Sequence, residues 1–223
     1  MMRILLLTLL LAWAPLAAAE SGRDSADPAE TVQATLASLA ATVSDCRLQL
    51  AGDPSALRGF IERELRPRAD VLYAGRLVMG RHWPAAGAEQ RRRFAEALYG
   101  ALLTRYASGL LLLTRNNVSV APGPAEIRDG EAEVELRIQA GLAQPVSVFL
   151  QLRRSNERWR VYDARWEGQS YVLSLRREYA RELGARGLEP LITELEGRVG
   201  PRAEDPAARA TPAGRCLRAR TAG

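Results

Sequence analysis

Apolar residues in the first half of the chain recur at the three- and four-residue spacing of an amphipathic helix. This spacing predicts one helix from about Pro28 to Leu50, with helix-ending residues directly after it. Shorter helices are predicted at Ser55–Arg66 and Asp70–Gly80, and a long one at Ala88–Leu113. The long helix repeats a large apolar residue about every four positions, at Phe94, Leu98, Leu102, Tyr106 and Leu110.

The pattern changes after Asn116 to the strict alternation of β-strands. A hairpin signal, Asp129-Gly130, precedes a strand in which apolar and charged residues alternate, and a similar strand begins at Val146. Short turns between successive strands predict an antiparallel, strongly twisted sheet with one apolar face.

The last strand begins near Trp159 and carries apolar residues on both faces. Simple alternation places Trp159 and Val161 on one face. Tyr162, Ala164 and Trp166 then fall on the other face. A strand of this kind needs cover on both sides.

Two helices follow this strand. Ser170 caps a predicted helix over Tyr171–Leu183, and a short helix covers Glu189–Gly197. The order of helices, then strands, then helices predicts an α+β fold, in which one curved antiparallel sheet is covered by helices. The chain shows no internal repeat, so we expect a single domain.

The two ends of the chain differ from this domain. Residues 1–19 contain one Arg, an apolar run and a small-residue pattern, which are typical of a secretory signal peptide. The domain then spans residues 20–197, and no later segment resembles a membrane span, so we expect a soluble exported protein. Residues 198–223 are rich in Pro, Ala, Gly and Arg, which predicts a disordered tail.

Charge and cysteine content limit the partners and leave one question open. The formal net charge is +5, but the predicted tail holds six Arg against Glu204 and Asp205, so the folded body is close to neutral. Nucleic acid is therefore not predicted as a partner. Export permits a disulfide between Cys46 and Cys216. The alternative is a buried thiol, because Cys46 lies on the apolar stripe of the first helix.

Signals for catalysis are few. His82 is the only histidine and stands among turn residues, where a surface histidine is the simpler interpretation. Asp163 and Glu167 could form a carboxylate pair, but four residues of a strand separate them by about 13 Å. No set of His and Cys residues has metal-ligand spacing. The apolar residues could either fill a solid core or line a cavity, and their pattern alone is compatible with both.

Four motifs in order decide between these interpretations. They are Arg76–Trp83 (RLVMGRHW), the helix start Glu89–Phe94, Thr104–Ala107 (TRYA), and Trp159–Asp163 (WRVYD) with Glu167-Gly168. Together they resemble the MlaC family, periplasmic phospholipid-binding proteins of the Mla (maintenance of lipid asymmetry, toluene tolerance) pathway in Gram-negative bacteria. The resemblance covers about residues 29–197.

The resemblance implies an NTF2-like twisted sheet and an apolar pocket that holds phospholipid as cargo, with no cofactor and no catalytic residue. It also implies lipid exchange with an outer-membrane lipoprotein–porin complex and with an inner-membrane ABC transporter complex that has MCE-domain subunits. For this role we predict a pocket lining of Leu77, Val78, Leu98, Leu102, Tyr106, Leu136, Ile138, Val148, Leu150, Trp166 and Val172. The alternatives are an enzyme on a similar fold that uses Asp163 or Glu167, and a structural envelope protein with a filled core.

Overall fold

The structure of the protein, a computed structural model, describes residues 27–106, 118–141, 144–199 and 216. The predicted signal peptide, the last part of the predicted long helix and most of the predicted tail lie outside these residues. Within the described part the elements are α1 Pro28–Asp45, α2 Arg47–Ala51, α3 Pro54–Leu65, α4 Val71–Met79, α5 Ala88–Tyr106, β1 Ser119–Arg128, β2 Glu131–Gln139, β3 Val146–Ser155, β4 Arg158–Trp166, β5 Gln169–Ser170, α6 Tyr171–Arg186 and α7 Leu188–Arg198. Single 3-10 turns, Arg66–Arg68 and Gly80–His82, flank α4.

Side-chain caps fix the starts of four of these helices. Asp27, Asp53, Asp70 and Ser170 each accept a hydrogen bond from a backbone N–H in the first turn of α1, α3, α4 and α6. Such caps satisfy donors that would otherwise lack a partner within the helix. The cap at Ser170 confirms the prediction from the sequence.

The prediction of one continuous helix up to Leu50 is wrong at Cys46. This residue has φ −105° and ψ 13°, so α1 ends before it and α2 begins after it. The apolar stripe continues across the break, because Val43, Cys46 and Leu50 are all fully buried. Periodicity alone therefore could not reveal the break.

The five strands form one antiparallel sheet in the order β1-β2-β3-β4-β5. Leu136 pairs with Val148, which pairs with Trp166, and Ile138 pairs with Val146. Cross-strand partners lie on the same side of a sheet. These residues therefore share one side, which we call the apolar face, as the alternation predicted. The opposite side, the outer face, carries mostly polar and charged residues.

A β-bulge in β4 corrects the prediction of a strand with apolar residues on both faces. The register of β3 against β4 shifts by one position at Tyr162, which has no partner in the ladder. One extra residue shifts the alternation that follows it. Trp159 and Val161 therefore share the apolar face with Ala164 and Trp166.

The buried apolar side chains form three cores. The sheet core joins the apolar face to α1 and consists of Val32, Ala132, Val134, Leu136, Leu152 and Trp159. The N-terminal core joins α1, α2, α3 and α5 and consists of Leu39, Val43, Cys46, Leu50, Ala56, Leu57, Phe60, Ile61 and Leu103. The helical core joins α4 to α7 and consists of Val78, Met79, Ala86, Phe94, Ala97, Leu98, Val172, Leu175, Tyr179, Leu183, Leu191, Ile192 and Leu195.

The helices that cover the sheet come from two directions. α1 lies across β1 and β2, whereas α4 and α6 contact β4. The Asp70 backbone N–H donates to the Val161 carbonyl at 2.8 Å, and the Asp70 carboxylate pairs with Arg153 at 2.9 Å. These contacts attach α4 to the edge of the sheet. None of the helices in the described ranges is both long and apolar enough to cross a bilayer.

A disulfide joins Cys46 to Cys216, 170 residues apart in the sequence. Cys46 is also buried in the N-terminal core, and Cys216 packs against the same core. Of the two alternatives left open by the sequence, the structure has the disulfide, and Cys46 is buried as well. The bond attaches a residue of the predicted tail to the junction of α1 and α2.

Candidate functional site

The predicted lining residues of the sheet lie on the apolar face, and their burial decreases along it. Val134 is fully buried and Leu136 is 8% exposed, both in the sheet core. Val148 and Leu150 are half-buried at the margin of this core. Trp166, in line with Leu136 and Val148, is 57% exposed. The apolar face is thus closed at one end and open at the end where Trp166 lies.

Ile138 belongs to the same open end. It is half-buried and pairs with Val146, one rung beyond Leu136. A short row of apolar side chains on neighbouring strands therefore extends beyond the sheet core. An exposed apolar surface of this kind is typical of a ligand-binding or interaction site.

The predicted lining residues of the helices lie in a different place. Val78, Leu98 and Val172 are almost fully buried members of the helical core. Leu77 and Leu102 are partly buried and pack against that core. The structure therefore brings these five helical residues together in the helical core, whereas the five predicted sheet residues lie on the apolar face.

Tyr106 stands apart from both groups at the end of the described part of α5. It is 49% exposed and accepts a hydrogen bond from the Tyr171 hydroxyl at 2.8 Å. The two rings meet edge to face, with centroids 5.9 Å apart. Burial, and then the hydrogen bond to Tyr106, raise the pKa of Tyr171 above its ordinary range. This aromatic pair links α5 to the start of α6.

A cavity of about 280 Å³ lies between α1 and β1. This volume is near the lower limit for ligand pockets, so it suits part of an acyl chain better than a whole lipid. The cavity borders the sheet core through Leu36 and Val120. This cavity was not predicted from the sequence, although the small residues on α1 were a signal for it. Its lining is Gln33, Leu36, Ala37, Ala40, Val120, Ala121 and Pro122.

The outer face of the sheet has the opposite chemistry. Glu135 accepts hydrogen bonds from the Ser147 hydroxyl at 2.6 Å and from Arg137 Nε at 3.2 Å. These two donors hold the pKa of Glu135 below its ordinary range. On the same face Arg165 pairs with Glu133 at 3.2 Å. Paired charges of this density are incompatible with an apolar lining, so only one face of the sheet suits a lipid.

Of the two carboxylates considered for catalysis, Asp163 holds two structural elements together and Glu167 lies in an exposed turn. Asp163 accepts hydrogen bonds from the Ser170 hydroxyl and from the backbone N–H of Val172, the latter at 2.9 Å. It therefore holds the end of β4 against the start of α6. Glu167 is an exposed turn residue with φ 50°. The described part of the chain contains no cluster of His, Cys, Asp and Glu that could hold a metal ion.

The chain resembles known proteins in both sequence and structure. The family model described as MlaC protein matches residues 33–197. The chain is 26% identical over 149 residues to the intermembrane phospholipid transport system binding protein MlaC of Haemophilus influenzae, which covers 65% of this chain and 69% of that protein. It also matches the phospholipid-binding protein from Ralstonia solanacearum, solved in complex with a phospholipid, with a TM-score of 0.63 and 24% identity over 77% of this chain and 96% of that chain. The last similarity supports the α+β fold.

Proposed function

Since this chain belongs to the MlaC family, we propose that it is a soluble periplasmic carrier that shields the acyl chains of a phospholipid. The observation that carries this proposal is the apolar face, which continues beyond the sheet core to an exposed Trp166. The names of the relatives support it, because the Haemophilus influenzae protein is a phospholipid transport system binding protein and the Ralstonia solanacearum structure contains a phospholipid.

Such a carrier removes a large energetic barrier. Each methylene moved out of water is worth about 0.8 kcal/mol, so two chains of about sixteen carbons make free diffusion cost on the order of 25 kcal/mol. A carrier therefore needs an apolar surface that can replace the bilayer interior. The apolar face and the cavity between α1 and β1 offer such surfaces.

We place the acyl chains along the apolar face, with Val148 and Leu150 beneath them. Ile138 and Trp166 then lie at the entrance, where the head group remains near water. The helical residues Val78, Leu98 and Val172 already contact neighbouring side chains. They join the lining only if lipid entry separates the helices from the sheet.

The cargo requires a donor and an acceptor. In line with the Mla transport system, the carrier exchanges lipid with an outer-membrane lipoprotein–porin complex and with an inner-membrane ABC transporter complex that has MCE-domain subunits. This exchange would maintain the lipid asymmetry of the outer membrane. Pull-down of the purified carrier with each complex, with a lipid-depleted carrier as the comparison, tests these partners.

Adjacent residues of β3 give a matched test of the lipid site. Val148 and Phe149 are both half-buried, but Val148 points to the apolar face and Phe149 to the outer face. We expect Val148→Glu to reduce the phospholipid that co-purifies by at least about tenfold, because a buried carboxylate opposes an acyl chain. Phe149→Glu should retain the lipid.

Native mass spectrometry of protein purified without detergent measures the bound lipid, and circular dichroism confirms that both variants fold. Equal lipid content in the two folded variants would contradict the placement on the apolar face. A wild-type chain that contains no lipid and resists loading would instead favour the structural protein with a filled core.

A further inference from the structure

The first three turns of α6 present an exposed apolar and basic surface beside the open end of the apolar face. Leu173 is 48% exposed, and three arginines are exposed on the following turns of the helix. Trp166, 57% exposed, is separated from α6 only by a tight turn and the two residues of β5. We call this set the α6 surface: Trp166, Leu173, Arg176, Arg177 and Arg181.

The three arginines of the α6 surface lack the ion pairs that several other arginines of the described ranges form. Arg93 on α5, for example, pairs with Glu189 and Glu196, and Arg165 on β4 pairs with Glu133. Arg176, Arg177 and Arg181 form no ion pair with a carboxylate of the described ranges. Positive charge is therefore available here for a partner outside the chain.

A second element extends this surface. Arg105 lies 5.5 Å from the centroid of the Tyr106 ring, and Tyr106 is hydrogen-bonded to Tyr171 at the start of α6. The end of α5 thus adds one more aromatic residue and one more arginine. The acidic residues nearest in sequence are Glu167, Glu178 and Glu182, three against the four arginines Arg105, Arg176, Arg177 and Arg181.

We propose that the α6 surface docks the carrier onto an anionic lipid bilayer. Trp and Tyr side chains prefer the boundary between water and hydrocarbon, which suits Trp166 and Tyr106. Arginines close to an anionic leaflet bind lipid phosphates. The proposal rests on the proposed function, because docking here brings the open end of the apolar face to the membrane that holds a donor or acceptor complex.

The composition of the α6 surface favours a bilayer over a protein partner. Its apolar part consists of only two exposed side chains, Trp166 and Leu173, and it also carries three exposed arginines. A stable protein interface instead buries at least about 1,000 Å² of well-packed surface. Protruding apolar side chains with basic neighbours are the pattern of proteins that lie in the membrane interface.

The test uses the full mature chain with its bound phospholipid and vesicles of phosphatidylcholine with 30% phosphatidylglycerol. The variant Arg176→Glu/Arg177→Glu/Arg181→Glu should bind these vesicles on the order of 100-fold more weakly, since each arginine near an anionic membrane strengthens binding about fivefold. The control Arg47→Glu/Arg63→Glu/Arg154→Glu changes the net charge equally at exposed positions elsewhere, and we expect at most about a twofold effect. The C-terminal arginines are the same in every protein, so they do not affect the comparison.

Two further measurements complete the test. Tryptophan emission of the wild type should shift to shorter wavelength on these vesicles, and Trp166→Phe should remove the shift. Native mass spectrometry should show unchanged lipid content in the α6 variant, which separates failure of docking from failure of lipid carriage. Equal vesicle binding by the two triple variants, or no binding by the wild type at low salt, would overturn the proposal and leave the α6 surface to an acidic protein partner.

Discussion

The helical core and the apolar face contain the same kinds of residue but bury them differently. In the helical core Phe94, Ile192 and Leu195 are completely buried. On the apolar face the side chains change from buried at Val134 to largely exposed at Trp166. The side chains of the helical core are fully covered, whereas those of the apolar face are covered near Val134 and not at Trp166.

Burial thus separates the apolar residues that stabilise the fold from those that can bind a ligand. A side chain that is already enclosed contributes its full burial energy to folding. A side chain that remains half-exposed contributes less, and it can gain the rest only when another apolar body covers it. We therefore assign stability mainly to the helical core and lipid binding mainly to the apolar face.

The largest effect is expected in the helical core. Replacing the fully buried Phe94 by Ala should lower the free energy of unfolding by about 3–5 kcal/mol, because it removes burial and leaves a cavity. Phe149→Ala, at a half-buried position of the outer face, should cost only about 1 kcal/mol. Urea unfolding followed by circular dichroism measures both, and equal losses would remove the distinction between the two regions.

An intermediate effect should depend on the lipid. Leu152 is 1% exposed in the sheet core, whereas Leu150 is half-buried on the same strand. Leu152→Ala should cost about 2–4 kcal/mol with or without bound phospholipid. Leu150→Ala should cost about 1 kcal/mol more in the loaded protein than in the delipidated one. Calorimetry of both forms tests this, and a loss independent of lipid would place Leu150 in the permanent core.

The smallest effect should appear at the two ends of the pH scale. Burial raises the pKa of Tyr179 in the helical core, so its contribution to stability is present below about pH 10 and is lost as the pH rises further. The pKa of Glu135 on the outer face is lowered, so its contribution is present above about pH 4.3 and is lost as the pH falls.

Variants at these two positions should therefore act at opposite ends of the profile. Tyr179→Phe should make the alkaline decrease in the free energy of unfolding less steep, and Glu135→Gln should do the same for the acid decrease. Chemical unfolding at a series of pH values measures both slopes. The assignment would fail if either variant changed the opposite end of the profile.

Local signals in the sequence were sufficient for most of the elements. Turn residues and alternation predicted the antiparallel order of the strands. Ser170 predicted the start of α6, because its hydroxyl accepts a hydrogen bond from the N–H of Leu173, only three residues away. Alternation with a period of two predicted one apolar face for β2 and β3, which includes Leu136 and Val148. These features depend on neighbours that are close in the chain.

Other features depend on contacts that the spacing of apolar residues in the sequence does not reveal. The bulge at Tyr162 changes the side of Trp159 without any Gly or Pro to mark it. The lining was predicted as one set, but Val78 and Val172 have the same apolar signature in a packed core as Val148 has at a surface. Which of two apolar residues is covered is decided by the arrangement of helices around them.

The bond between Cys46 and Cys216 makes most of the protein a covalent ring. A protease that cuts once within this ring leaves two fragments that remain attached to each other. A nicked molecule should therefore migrate as one species on a non-reducing gel and as two after reduction. In the oxidising environment expected for an exported protein, a single break in an exposed loop would not release either half of the molecule.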